Sequence, residues 1–150
     1  MAGNICFVPL EGGESASIVI PNPAAGANFA YTGPAGEEWE IRTLMCILTT
    51  SIVAGNRNPR FHIYDSLGNP HWLLYFTVPT LLSEQSVFSL YVGCQRADYN
   101  LVPLAGFRHA NDALPFERLL SGFEIGSNFV GLDIADQFSG IRMFIHRWRV

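Results

Sequence analysis

Four histidines are the side chains best suited to bind a metal ion or to move protons near neutral pH. They are His62, His71, His109 and His146. None belongs to an H-x-x-x-H or H-E-x-x-H pattern, so no local metal-binding spacing exists. His62 and His146 lie in predicted strands, where folding could still bring them together. We expect hydrogen-bonded histidines on strand faces or at an interface, and no metal site.

The densest group of acids is Glu37-Glu38-x-Glu40. Strand alternation places Glu38 and Glu40 on one face, where two carboxylates could serve as the acid and base of a glycosidase. Adjacent acids at the start of a strand more commonly form a solvated edge that discourages pairing with other sheets. The chain also lacks a G-x-S-x-G nucleophile motif. We therefore expect no catalytic residues and no enzyme.

Two loops carry the other polar patterns. The segment 133–137 could offer oxygens to calcium, but it has too few ligands for a calcium loop, so we expect Asp133 and Asp136 to shape a turn. Gly55–Arg60 is polar and contains glycine, yet it precedes a predicted strand, whereas phosphate-binding loops open a helix. These patterns predict neither a metal nor a nucleotide cofactor.

Aromatic residues could form a platform that stacks on sugar rings; the candidates are Tyr31, Trp39, Trp72, Tyr75, Tyr91 and Trp148. In an all-β protein such residues more commonly fill the core. The three cysteines, Cys6, Cys46 and Cys94, are odd in number and widely spaced. We expect them to be free, mostly buried thiols of a protein made in a reducing cytosol.

The composition excludes several classes of protein. The 150 residues contain nine basic residues, all arginine, against 13 acidic ones, for a net charge of −4. Hydrophobic residues make up 49%, which excludes disorder, and the absence of a basic excess argues against nucleic-acid binding. Arginine without lysine suits protein interfaces, although a GC-rich genome would also favour arginine codons. We expect no membrane-spanning helix and no secretory signal.

Frequent turn signals separate short runs that are rich in β-branched and aromatic residues. The predicted strands are Ile5–Leu10, Ser17–Ile20, Asn28–Thr32, Trp39–Thr50, Arg60–Asp65, His71–Val78, Val87–Gln95, Gly122–Ile125, Phe129–Ile134 and Ile141–Val150. Only Asp112–Leu120, with a capping residue and Pro115 near its first turn, predicts a short helix. About ten short strands at this spacing are typical of an all-β sandwich or barrel, and we expect a jelly-roll-like antiparallel β-sandwich with little helix.

The longest predicted strands are apolar on both faces. In Ile141–Val150, one face carries Ile141, Met143, Ile145, Arg147 and Arg149, and the other carries Arg142, Phe144, His146, Trp148 and Val150. In Trp39–Thr50, alternation places Trp39, Ile41, Met45 and Ile47 on one face and Leu44, Cys46 and Leu48 on the other. A strand with one wet face should be polar on that face. Such strands are therefore either central in a layered domain or covered by a neighbouring subunit, and the sparse charge of a 150-residue chain favours the second explanation.

We therefore expect a homo-oligomer. Its predicted interface residues are Arg142, His146, Arg147, Trp148 and Arg149 of the last strand, with Arg57 and Arg60 from the polar turn and the strand that follows it. Arginine suits such contacts because its planar guanidinium pairs with a carboxylate through two hydrogen bonds. We expect these arginines to pair with acids of the same or a neighbouring subunit.

Several segments together resemble small virion proteins of tailed bacteriophages, of the head-decoration (cement) type. The resemblance rests on Ala25–Trp39, on Ile41 and Leu44 leading into Leu48–Ser51, on Asn56-Arg57-x-Pro59 and Asp65-x-x-Gly68-Asn69, and on the stretches Leu114-Pro115, Gly122-Phe123-x-Ile125 and Gly131-Leu132-x-Ile134-x-Asp136-Gln137. It covers residues 24–150, and no single motif in it is specific. Residues 1–23 carry no resemblance and are expected to form an N-terminal arm or a first hairpin.

The resemblance implies a structural protein on the capsid surface of a virion, made in the host cytoplasm. Such a protein would bridge neighbouring capsomers, with the major capsid protein as its partner. A trimer is expected because closed rings suit the threefold positions of an icosahedral shell. Neither nucleic acid, membrane nor cofactor is expected. The alternatives are a tail- or fibre-associated β module and a carbohydrate-binding β-sandwich that uses exposed aromatic residues.

Overall fold

The computed structural model describes residues 12–76, 79–92, 107–115 and 117–150. Within them lie nine strands: β1 (Glu14–Val19), β2 (Ala30–Thr32), β3 (Glu37–Thr49), β4 (Arg60–Tyr64), β5 (Pro70–Tyr75), β6 (Gln85–Val92), β7 (Phe107–Leu114), β8 (Glu124–Ser127) and β9 (Gln137–Arg149). No described residue belongs to a helix, so no helix there is long and apolar enough to span a bilayer.

The strands form two sheets with jelly-roll connections. One sheet has the order β1-β9-β3-β6-β7 and the other the order β2-β8-β4-β5. The chain crosses between the sheets at every connection except β4–β5 and β6–β7. All strand pairs are antiparallel except β6–β7, which is parallel. Without β7 this is the eight-stranded double sheet of a jelly roll, which confirms the predicted fold class.

Aromatic side chains fill the space between the sheets. Phe61 of β4 and Phe88 of β6 belong to different sheets, and their ring centroids lie 5.4 Å apart. Phe129 lies within 5.5 Å of both rings and makes edge-to-face contacts with them. Trp39, which sequence analysis offered for a sugar platform, is fully buried in this core. The aromatic residues therefore mainly hold the two sheets together.

Two β-bulges change which face the long strands present. The pairing of β3 with β9 shifts between Ile41 and Thr43, so Arg42 is the extra residue. As a result Leu44 and Leu48 join Trp39 and Ile41 in the core. The predicted strict alternation, which grouped Met45 and Ile47 with Trp39, is wrong beyond the bulge because one extra residue inverts the faces of a strand.

A second shift lies between Met45 and Ile47, opposite Gly140 of β9. Gly140 has a φ of 59°, a backbone conformation that suits glycine. Beyond it Ile141, Met143 and Ile145 are buried as the alternation predicts, whereas Phe144 is exposed. The two bulges together give this sheet a buried face and a separate outer face that is also apolar.

Two predicted elements differ in the structure. The helix over Asp112–Leu120 is absent: residues through Leu114 pair with β6, and Leu119 makes an isolated bridge to Trp39. Pairing and burial of Leu114 and Leu119 override the local capping signal. Phe129–Ile134 is a loop rather than a strand, and it contributes only a bridge from Val130 to Asn58. The predicted strand Ile5–Leu10 lies outside the described residues.

Candidate interaction surfaces

The outer face of the five-stranded sheet presents apolar side chains to solvent. Val19, Arg142 and Met45 form one cross-strand row, from β1 through β9 to β3. Phe144, 55% exposed, lies in the neighbouring row. A concavity of about 310 Å³ between β3, β6 and β9 is lined by Ile47, Val87, Arg142 and Phe144, among others. We call Val19, Met45, Ile47, Val87, Arg142 and Phe144 the open face.

Arg142 is the only charged side chain of the open face. It is exposed and makes no ion pair with any carboxylate in the described ranges. The apolar groups of this surface remain hydrated in the isolated chain, and an exposed guanidinium among them is suited to pair with a carboxylate of another molecule. The open face therefore has the composition of an interface: apolar groups around one arginine.

The same sheet face is closed at its other end. His146 and Trp148 are buried there, although both lie on the outer side of β9. Arg118 covers the Trp148 ring at 4.4 Å and forms an ion pair with Glu38, and Ser15 Oγ lies 3.2 Å from His146 Nδ1. In the described part of the chain His146 Nε2, Trp148 Nε1 and Glu40 Oε1 are buried without a hydrogen-bond partner.

Three other predicted interface arginines, Arg147, Arg149 and Arg60, have different surroundings. Arg147 forms ion pairs with Glu14 and Glu37 of its own chain. Arg149 is exposed and, like Arg142, has no ion pair with a described carboxylate. Arg60 stacks over the Tyr75 ring at 5.2 Å, on the outer face of the four-stranded sheet. Whether these residues contact another subunit remains a prediction.

Arg57 lies inside the molecule, with 1% of its surface exposed. Its Nε and Nη2 donate to the two carboxylate oxygens of Asp136 at 2.8 and 3.1 Å. Its remaining donors reach the carbonyls of Val53 and Gly55 and the hydroxyl of Ser51. The hydrogen bonds that Arg57 donates to Asp136 raise the pKa of Arg57, so the guanidinium stays charged. In the isolated chain Arg57 is therefore fully engaged in joining loops.

This ion pair holds together the loops at one end of the sandwich, which comprise segments 20–29, 50–59, 79–84 and 128–136. Asp136 accepts from the Ser51 amide, and the Asp136 carbonyl accepts from the Gly26 amide. Thr50 Oγ1 donates to the carbonyls of Leu81 and Glu84. The Asp133 amide donates to the Asp136 carboxylate, and the Asp136 amide donates to the Asp133 carbonyl. These two hydrogen bonds confirm the predicted role of both residues in a turn.

These four segments, which we call the loop crown, expose aliphatic side chains: Ile52, Val53, Leu81, Leu82, Val130 and Ile134. Ile52 and Ile134 are each 83% exposed. The sequence pattern did not predict this surface: Val130 and Ile134 lie in a predicted strand, and residues 51–54 and 81–84 lie outside every predicted element. The signal was present in Ser51-Ile52-Val53-Ala54 and Thr80-Leu81-Leu82-Ser83, where apolar pairs stand inside turns. Rigid loops that expose aliphatic groups mark an interaction site.

The histidines whose side chains the structure describes, His62, His71 and His146, lie in separate places. His62 Nε2 lies 3.1 Å from Glu124 Oε1, and His71 Nε2 lies 2.7 Å from Glu117 Oε2. No group of three His, Cys, Asp or Glu side chains in the described residues could hold a metal ion. The acid cluster is likewise divided among separate partners: Glu37 with Trp39, Glu38 with Arg118 and Glu40 with Arg42.

The predicted aromatic platform does not form as one surface. Trp39 and Trp148 are buried, whereas Tyr75 is 52% exposed. Tyr75 lines a concavity of about 230 Å³ on the four-stranded sheet, together with Arg60, His62, Tyr64 and Leu73. Tyr64 stacks on His62 with ring centroids 4.3 Å apart. The sugar-binding hypothesis therefore applies to this tyrosine-lined depression and not to Trp39 and Trp148.

Taken together, the topology defines the class as a jelly-roll β-sandwich with two apolar surfaces, the open face and the loop crown. The chain matches no protein-family model, no curated protein and no solved structure.

Proposed function

We propose that this protein is a self-associating structural protein of a virion, which decorates a bacteriophage capsid and bridges its capsomers. The observation that carries self-association is the open face, where Val19 and Phe144 are more than half exposed around Arg142, which has no ion pair with a described carboxylate. Burying such a side chain contributes about 1.5–3 kcal/mol, so a subunit contact over several of them stabilises an oligomer.

The capsid role rests on the sequence resemblance, and the fold is compatible with it. Jelly rolls build viral capsid and lectin domains, although a fold alone does not define a function. A decoration protein needs no catalytic centre, and its partner would be the major capsid protein.

The oligomer is tested by light scattering on the purified chain and on Phe144→Asp. The parent is expected to have a mass that is a multiple of 16.6 kDa, and three copies are the expected number. Phe144→Asp should dissociate it, because a charge would be buried in the contact. Leu73→Asp is the matched control, since Leu73 is also exposed but lies on the other sheet. A monomeric parent would contradict the proposal.

The virion role is tested by cosedimentation with undecorated heads and, separately, with tails of the phage that encodes the protein. Binding to heads supports decoration, and binding to tails alone favours the tail-associated alternative. The carbohydrate-binding alternative is favoured by the depression at Tyr75. Glycan binding that is lost in Tyr75→Ala, with an unchanged melting temperature, would support that alternative.

A further inference from the structure

The open face and the loop crown complement each other. We propose that the loop crown of one copy docks on the open face of the next copy, so that subunits associate head to tail. This inference rests on the proposed self-association and names the two surfaces that meet.

The two surfaces are complementary in their apolar groups. The open face contains a concavity of about 310 Å³ that is lined mainly by apolar groups. The loop crown supplies projecting aliphatic side chains, of which Ile52 and Ile134 are almost fully exposed. Docking the crown into the concavity removes both sets of apolar groups from water in one contact.

The open face and the loop crown are also complementary in charge. Arg142 is a cation without a described carboxylate partner, and it lines the concavity. Arg57 is the only basic residue in the segments of the loop crown, and it is buried against Asp136. The partly exposed charges of the crown are the carboxylates of Glu84 and Asp133. An acidic crown and a cationic face attract, whereas two crowns or two open faces repel.

The loop crown is rigid, because its own contacts hold its loops together. The ion pair of Arg57 with Asp136 and the hydrogen bonds of Thr50 connect three loops of the crown. A surface already held in its binding shape loses little conformational entropy on association. The absence of exposed basic residues in these segments also makes an anionic membrane a poor occupant of the crown.

Such a contact joins two different surfaces, so it repeats around a ring when the rotation closes. A closed head-to-tail ring accounts for the expected trimer with one type of interface. A contact between two open faces would instead give a twofold dimer.

The test is an exchange of charges, read by light scattering. Ile134→Arg adds a cation to the crown and should weaken association with the cationic open face at least about tenfold. Arg142→Glu alone should also weaken association, because it would face Glu84 and Asp133 of the crown, and the double variant Ile134→Arg/Arg142→Glu should associate more tightly than either single variant. Leu67→Arg is the control: Leu67 is 84% exposed at the opposite end of the sandwich and should have no effect.

Ile134 is 83% exposed, so the substitution should leave the fold intact, which the melting temperature checks. Ile52→Arg, on the same crown, serves as a second variant. If Ile134→Arg and Ile52→Arg both assemble like the parent, or if the double variant associates no more tightly than either single variant, the head-to-tail contact is wrong. Self-association through the open face would still be supported if Phe144→Asp dissociates the parent oligomer. Failure of the head-to-tail contact is therefore distinguishable from failure of self-association.

Discussion

The guanidinium of Arg57 uses all five of its N–H donors inside the protein, and two of them reach Asp136, which lies 79 residues away in the chain. Asp136 in turn accepts hydrogen bonds from the amides of Ser51 and Asp133. A buried ion pair is stable only when its remaining donors and acceptors are also satisfied, and here they are. This contact sets the arrangement of the loop crown.

Removing one partner of the ion pair should destabilise the protein strongly. Arg57→Met or Asp136→Asn is expected to cost about 3–5 kcal/mol in the free energy of unfolding, because the remaining group stays buried without its partner. Urea denaturation measures this cost. The double variant should cost less than the sum of the two single variants. Glu14→Gln, which removes an exposed partner of Arg147, should change stability by less than about 1 kcal/mol.

Stability should fall in acid in a way that depends on Asp136. Burial alone would raise the pKa of Asp136, but hydrogen bonds from Arg57, Ser51 and Asp133 outweigh it and the pKa is lowered from 3.8. A lowered pKa in the folded state stabilises the protein above pH 3.8, and this stabilisation is lost as pH falls through the folded pKa. Denaturation midpoints measured from about pH 5 to pH 2 should fall more steeply for the parent than for Asp136→Asn. Equal slopes would contradict this prediction.

Cys46 should be unreactive until the protein unfolds. It is a free thiol in the core, as predicted, and burial raises its pKa, so little thiolate exists near neutral pH. Cys6 and Cys94 lie outside the described residues. A Cys6→Ser/Cys94→Ser variant therefore isolates Cys46 for labelling with a thiol reagent. Labelling should follow the denaturation curve, and rapid labelling without denaturant would refute the prediction.

Gly131 should tolerate substitution less well than Gly68. Both have a positive φ, 86° and 83°, so alanine is strained at either position by roughly 1–2 kcal/mol. An added Cβ at Gly131 would lie 2.4 Å from the carbonyl oxygen of Asn56, whereas Gly68 has open space around it. Gly131→Ala should therefore lower the melting temperature more than Gly68→Ala, and equal effects would show that the crown loops can separate.

The C-terminal strand should be essential for folding. Trp148 is buried and covered by Arg118, so Trp148→Ala is expected to cost about 3–5 kcal/mol. Deleting residues 147–150 also removes the ion pairs of Arg147 with Glu14 and Glu37, and should unfold the protein or prevent assembly. Val150→Ala is the control, because Val150 is 70% exposed. Parent-like melting of the deletion variant would mean that the terminus is dispensable.

Much of the fold follows from local sequence patterns. Turn residues between short β-branched and aromatic runs predict strands at the positions of β3, β4, β5, β6 and β9, and the number and spacing of the predicted strands indicate a β-sandwich or barrel. The predicted helix failed because the pairing of β7 with β6 depends on contacts between segments distant in the chain. Local capping signals do not contain that information.

The two apolar surfaces also depend partly on local sequence patterns and partly on tertiary structure. Apolar and polar alternation by itself determined that β9 would be apolar on both faces, since a strand places successive side chains on opposite sides. Tertiary structure decided which of those residues stay exposed: Arg118 covers Trp148, whereas the described chain leaves Phe144 open. It also buried Arg57 against Asp136 and gathered the aliphatic residues of separate loops into one crown. The burial of Arg57 and the formation of the crown depend on which loops lie together at one end of the sandwich. Strand pairing between distant parts of the chain decides this, and no local sequence pattern contains it.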